Sequence, residues 1–232
     1  MKNNNNRNIK VVTSSEPHLE KILKGNSMWV VKIGGSLLGT PELARWLDIF
    51  VKFSDGHIII VPGGGLFADA VREAQQLTNT NDAIAHKLAV IAMDQFGLLM
   101  AGINPALKTA SSELELAERG WQHRGIVWLP SKMVLADDTI PQNWDTTSDS
   151  IAAWLAKELD AKHLVLVKSI KPTGENLKLK DVTKDGLVDS EFGDFALDKE
   201  FSPWIVKKTD HVHFEDGIDE QKLSKFGSLI LH

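Results

Sequence analysis

Trp29-Val30-Val31-Lys32-Ile33-Gly34-Gly35-Ser36 and Ile59-Ile60-Val61-Pro62-Gly63-Gly64-Gly65 decide how the rest of the 232-residue chain reads. In each, an apolar run rich in β-branched residues stops at glycines, the pattern of a buried strand ending in a tight turn. After each turn the periodicity becomes helical. Pro41 opens a segment with Leu43, Trp46, Leu47, Phe50 and Val51 on one face. Beyond Gly65, residues Phe67, Ala70, Val71, Ala74 and Leu77 fall at the i, i+3, i+4, i+7 spacing of an amphipathic helix. Two glycine turns near one sheet edge bring backbone N–H groups close to an anion, and the first also carries a lysine at its strand end.

Outward from this pair, strand and helix keep alternating. Helical patterns cover Asp82 to about Met100 and Ser111 to Arg119, and Ile126 to Leu129 reads as a short strand stopped by Pro130. The polar stretch Trp144-Asp145-Thr146-Thr147-Ser148-Asp149-Ser150 precedes the helix beginning Ile151-Ala152-Ala153, where Ser148 or Asp149 would cap the first free N–H groups. His163 to Val167 is another buried strand, followed by Lys168-Ser169-Ile170-Lys171-Pro172-Thr173-Gly174. Residues Glu175 to about Asp198 are charged and turn-rich, and Ile205-Val206 and Ser228 to Leu231 read as closing strands. The alternation predicts an α/β sandwich with a mainly parallel sheet.

Composition bounds the partners. With 26 basic against 31 acidic side chains the formal charge is -5, which offers no electrostatic case for nucleic acid or an anionic membrane. No cysteine is present, so disulfides, thiolate catalysis and cysteine-based metal sites are excluded. This fits a cytoplasmic protein. The polar start, with its asparagine run at Asn3 to Asn6, lacks the apolar core of a signal peptide, and residues 1–27 read as a flexible arm. No apolar stretch is expected to reach the roughly 20 residues needed to span a bilayer.

Several positions stand out chemically. Lys32 either extends into solvent from a tight turn or sets its ammonium against a phosphoryl oxygen. The run Gly63-Gly64-Gly65 is costly to order, and close approach of backbone to a ligand explains it better than packing alone. Asp149 is either a helix cap or a carboxylate that holds lysines in place. Lys168 and Lys171 flank the end of the His163–Val167 strand, where ligands gather in open parallel sheets, although lysines there also serve as plain surface. Neither turn spells a P-loop or a Gly-x-Gly-x-x-Gly fingerprint, and the histidines lack zinc-ligand spacing, with His211-x-His213 the one pair that a metal could take. Trp144, beside the polar capping stretch, is a candidate substrate wall.

In order and spacing, the Lys-Ile-Gly-Gly-Ser turn, the Pro-Gly-Gly-Gly turn and the Ser-Asp-Ser segment before an Ala-Ala helix resemble the amino acid kinase family over roughly Trp29 to Gly174. The resemblance implies a three-layer αβα sandwich, with an acceptor-binding lobe at 28–147 and a nucleotide-binding lobe at 148–232. It also implies an ATP-dependent kinase, with Mg²⁺ carried on the nucleotide, no metal bound by the protein alone, and assembly into a homo-oligomer, dimer or larger. Catalysis would fall to Lys32, Asp149 and Lys168. Phosphate and acceptor contacts would fall to Gly34, Gly35, Ser36, Gly63, Gly64, Gly65, Trp144 and Ser148, and nucleotide contacts to Lys168, Ser169, Lys171 and Gly174. Around Trp144–Ser150 and Val167–Pro172 the chain looks most like the branch that phosphorylates [5-(aminomethyl)furan-3-yl]methyl phosphate in methanofuran and tetrahydromethanopterin-linked one-carbon metabolism. Lys171-Pro172-Thr173-Gly174 departs from the Lys-Val-Asp-Gly turn of uridylate kinases. Kinases of UMP or of a small carboxylate, and a non-catalytic nucleotide-binding protein on the same fold, are the competing readings.

Overall fold

The computed structural model describes residues 28–122, 124–196 and 201–231. The expected N-terminal arm, residues 1–27, lies outside them. The strands are β1 (Trp29–Ile33), β2 (Ile58–Pro62), β3 (Lys108–Ala110), β4 (Ile126–Trp128), β5 (His163–Lys168), β6 (Asn176–Lys178), β7 (Ser202–Lys207) and β8 (Ser228–Leu231). They form one sheet in the order β3-β4-β2-β1-β5-β7-β8-β6. Every neighbouring pair is parallel except β7 and β8. The helices are α1 (Pro41–Phe53), α2 (Gly65–Thr78), α3 (Asp82–Ile103), α4 (Glu113–Trp121), α5 (Ser131–Val134), α6 (Ser148–Glu158), α7 (Leu179–Lys184), α8 (Phe192–Ala196) and α9 (Glu220–Phe226).

The central strands are buried on both faces, which is why they read as continuous apolar runs rather than alternating ones. The period of two survives in where each residue goes. Val30, Ile59, Val61, Leu164 and Leu166 join α6 in one core, whereas Val31, Ile33, Ile58, Ile60, Val165 and Val167 join α1 in the other. Helix α6 is buried from Asp149 through Ala156, and its Ala152, Ala153 and Ala156 let it lie close against the sheet. Helix α3 contributes to both cores, through Val90 and Met93 to one and Phe96 and Met100 to the other.

Several expectations change. The apolar positions expected to face inward on α2 do not: Ala70, Ala74 and Leu77 are exposed, Phe67 and Val71 are half-buried, and Ala68 is the helix's buried residue. Spacing fixes which residues share a face, but not whether anything covers it. Helix α3 is 22 residues long and by length and composition apolar enough to cross a bilayer, contrary to the expectation of no such stretch. In this fold one side of it packs on the sheet, while Ile84, Leu88, Ile91, Leu98 and Ile103 remain exposed. Strands β3 and β6 have no counterpart in the sequence reading. Each has three residues and one buried position, too few for alternation to register. The stretch read as charged and turn-rich from Glu175 onward also contains β6, α7 and α8.

Candidate active site

Lys32 and Lys168 reach one side of the sheet for the same reason. Each lies two residues beyond a side chain that packs toward α6, Val30 on β1 and Leu166 on β5, and strand side chains repeat every second residue. β1 and β5 are parallel neighbours, with Ile33 opposite Val167. Chain connections also diverge at this pair, from β1 to β2 on one side and from β5 to β6, beyond β7 and β8, on the other. The crevice beyond such a divergence is where open α/β sheets bind ligands.

Asp149, in the first turn of α6, sits between the two lysines. Its Oδ1 lies 2.8 Å from Lys32 Nζ and its Oδ2 lies 2.5 Å from Lys168 Nζ. Asp149 is 5% exposed and Lys32 4%. Burial alone would raise the Asp149 pKa, but the charges of Lys168 and Lys32 outweigh it and hold the carboxyl at about 2. For Lys168, burial wins over Asp149's attraction, helped by repulsion from Lys32, and pulls the ammonium down to about 8. Two cations and one anion leave this buried cluster with a net positive charge.

The expectation that Ser148 or Asp149 caps α6 is not met. The N-cap position is Thr147, and no side chain of its own closes the helix end. Asp189, 42 residues after Thr147, does so instead. Its Oδ2 accepts from the Thr147 N–H at 3.0 Å, the Thr147 hydroxyl at 2.6 Å and the Ser150 N–H at 3.1 Å, and its Oδ1 accepts from the Ser150 hydroxyl. With capping handled elsewhere, both Asp149 oxygens are left to the lysines.

The glycine turns pack on each other. A Cβ on Gly35 would lie 2.3 Å from the Gly65 nitrogen, and one on Gly63 would lie 2.6 Å from the Gly35 nitrogen. Gly65 also has φ +55°, a conformation few other residues adopt. Packing therefore accounts for Gly35 and Gly63, correcting the preference for ligand approach as the whole explanation. The backbone donors divide accordingly. Gly34 N–H donates to the Val167 carbonyl at 3.1 Å and Gly63 N–H to the Ile33 carbonyl at 2.9 Å, so neither is free for a ligand. Gly35, Gly64 and Gly65 face a cavity of about 320 Å³, and their N–H groups have no protein acceptor among the described residues.

That cavity is also lined by Ser36, Asp69, Arg72, His86, Trp144 and Ser148. Trp144 forms a wall: its Nε1–H donates to Gln75 Oε1 at 2.7 Å, and the Arg72 guanidinium lies 4.6 Å from its ring centre. Arg72 also pairs with Asp69 at 2.8 Å. Of the positions after β5, Lys168 joins the cluster and Lys171 does not. The Lys171 ammonium donates to the Phe226 carbonyl and lies 3.5 Å from Asp210. Ser169 is half-buried, Gly174 is exposed, and the Gly174 carbonyl accepts from the Ser228 hydroxyl. His211 and His213 belong to a 3-10 turn, one beside Glu215 and the other stacked on Phe226.

Sequence reading missed Arg72, His86 and Asp189. Arg72 follows Gly65 by seven residues, one helical face, and His86 precedes Val90 and Met93 on a buried face, so both carried a periodic signal. Asp189 carried none, because its partners are distant in sequence.

The chain resembles known proteins in both sequence and fold. Among curated relatives, the [5-(aminomethyl)furan-3-yl]methyl phosphate kinase of Methanocaldococcus jannaschii is 33% identical over 144 residues, 62% of this chain and 66% of that protein. The chain thus matches just under two thirds of that relative's length. Among solved structures, the uridylate kinase of Archaeoglobus fulgidus aligns with TM-score 0.61 at 14% identity, over 88% of this chain and all of that one. The UMP kinase of Bacillus anthracis aligns with TM-score 0.65 at 12% identity, over 88% of this chain and 95% of that one. Those likenesses establish the fold, and the family model describing the amino acid kinase family matches residues 27–171, more than half of the sequence. With the lysine turn, the glycine turn and the bridging aspartate all inside that span, the chain belongs to the amino acid kinase family.

Proposed function

We propose that this protein is an ATP-dependent phosphotransferase whose acceptor is the phosphate of an aminomethylfuran phosphate, yielding a diphosphate. The observation that carries the reading is the buried Lys32–Asp149–Lys168 cluster at the ends of β1 and β5, beside a cavity edged by free glycine N–H groups. The choice of acceptor draws on the aminomethylfuran phosphate kinase among its relatives.

An oxygen of the acceptor phosphate attacks the γ-phosphorus as the bond from that phosphorus to the bridging oxygen breaks, and ADP leaves with the electron pair. Such an oxygen is already ionised at neutral pH, so no general base is needed. What remains is positioning and charge neutralisation. Lys32 and Lys168 offset the charge on the transferring group, Asp149 fixes the distance between them, and the N–H groups of Gly35, Gly64 and Gly65 hold phosphate oxygens in line. Trp144, Ser36 and Ser148 bound the acceptor. Lys168, Ser169 and Gly174 lie on the nucleotide side, and Lys171 joins them only by leaving Asp210. No cluster of three metal-ligating side chains occurs among the described residues. In this reading Mg²⁺ arrives on the nucleotide, whose phosphate charge it offsets. The uncovered apolar row on α3 supports assembly into a homo-oligomer.

Mass spectrometry of products after incubation with Mg-ATP and the aminomethylfuran phosphate tests the reading. The expected result is a diphosphate, with turnover reduced on the order of 100-fold or more in Lys32→Ala at an unchanged circular dichroism spectrum. Unreduced turnover in a folded Lys32→Ala protein removes the assignment. ATP binding without any product redirects the acceptor to UMP or a small carboxylate.

A further inference from the structure

Two side chains that line the cavity each carry a buried polar atom without a hydrogen-bond partner among the described residues. His86 is 2% exposed and Thr146 2%. Both line the cavity, and neither His86 Nε2 nor Thr146 Oγ1 has a hydrogen-bond partner among the described residues. Buried polar groups are nearly always satisfied, and one left bare is costly, so two bare groups in one cavity wall point to a ligand that completes them.

The chemistry of that ligand follows from the histidine's other nitrogen. His86 Nδ1 lies 2.8 Å from the Asn143 carbonyl oxygen. A carbonyl can only accept, so Nδ1 carries the hydrogen. Burial disfavours the imidazolium and lowers the His86 pKa. The ring is therefore neutral and Nε2 presents a lone pair: it asks for a donor.

One turn assembles the whole wall. The Asn143 carbonyl orients His86, while Asn143 Oδ1 accepts from the Asp145 and Thr146 N–H groups, each at 3.0 Å. Trp144 projects from between them. The charged side chains lining the cavity are Asp69 and Arg72, already paired with each other. The cavity lining thus carries both donors and acceptors. Glycine N–H groups supply donors suited to a phosphate, and His86 Nε2 and Thr146 Oγ1 supply acceptors suited to a cation with several N–H bonds.

We propose that His86 and Thr146 form an ammonium subsite that selects acceptors carrying a protonated primary amine. The proposal rests on the reading that the acceptor occupies this cavity. It adds the residues that distinguish an amine-bearing acceptor from its amine-free counterpart.

Calorimetry with two probes tests it, [5-(aminomethyl)furan-3-yl]methyl phosphate and the analogue with a methyl group in place of the aminomethyl group. His86→Asn keeps an N–H near the Nδ1 position for the Asn143 carbonyl and deletes the second nitrogen. Thr146→Val deletes the hydroxyl at nearly constant shape, and carries the same test should His86→Asn fail to fold. The wild-type protein is expected to prefer the amine by about 10- to 100-fold, the range for hydrogen bonds to a charged group, and either variant to bring that ratio toward one. Equal affinities in the wild type, a preference that survives both substitutions, or no binding of either probe overturns the proposal. Product analysis on the same samples with Mg-ATP is a separate readout. An amine preference dependent on His86 without diphosphate formation removes the phosphoryl-transfer reading and leaves the subsite standing.

Discussion

Lys168 is where burial and charge compete most directly. Its ammonium is held at about 8, below the usual lysine value of 10.5, because desolvation outweighs the attraction of Asp149. The charge is therefore present below pH 8 and lost as pH rises through it. If that charge serves the nucleotide phosphates, kcat/KM for ATP, which reports ionisations of the free enzyme, falls on an alkaline limb with an apparent pKa near 8. In Lys168→Arg the guanidinium stays charged throughout, so the limb should disappear even where the absolute rate is lower. A wild-type profile flat across that range would show that Lys168 is structural. Lys32, one strand away, belongs to the same cluster, and Asp149 ties the behaviour of either lysine to the other.

At the scale of elements, α6 carries the aspartate and the cap of α6 comes from elsewhere. Asp189 satisfies the N–H groups of Thr147 and Ser150 together with both hydroxyls. Replacing it with Ala should lower stability by roughly 1–2 kcal/mol, the usual worth of a lost cap. It should also lower kcat, since the first turn of α6 positions Asp149. Chemical denaturation alongside steady-state kinetics checks both, and a variant that loses stability but keeps full kcat would separate the cap from the site. Such dependence marks what a sequence can express. β1, β2 and β5 are legible because burial on both faces leaves uninterrupted apolar runs, and the glycines after β1 and β2 are legible because few other residues fit there. Lys32, Asp149 and Lys168 stood out by their place beside those features. Asp189 and Thr146 did not, since an aspartate 42 residues away and an unbonded threonine look like any others until the chain folds. The outward face of α2 misled for the same reason: a helix pattern names a face and leaves its partner unnamed.

For the whole molecule, the exposed row Ile84, Leu88, Ile91 and Leu98 on α3 is the largest uncovered apolar feature along one helix among the described residues, each side chain between 42% and 55% exposed. A long helix apolar on both sides needs cover on both sides. If a second copy supplies it, Leu88→Lys combined with Ile91→Lys should convert a dimer or larger species into a monomer in sedimentation velocity, with secondary structure intact. An unchanged mass would assign the row to another partner. The interlocked glycine turns carry a consequence in time rather than in space. Gly35 and Gly63 pack against each other across 27 intervening residues, so the close fit of the two loops exists only when their strands are paired. Neither loop can form the anion cradle alone. That cradle comes into being when β1 and β2 register, as a joint product of the two loops.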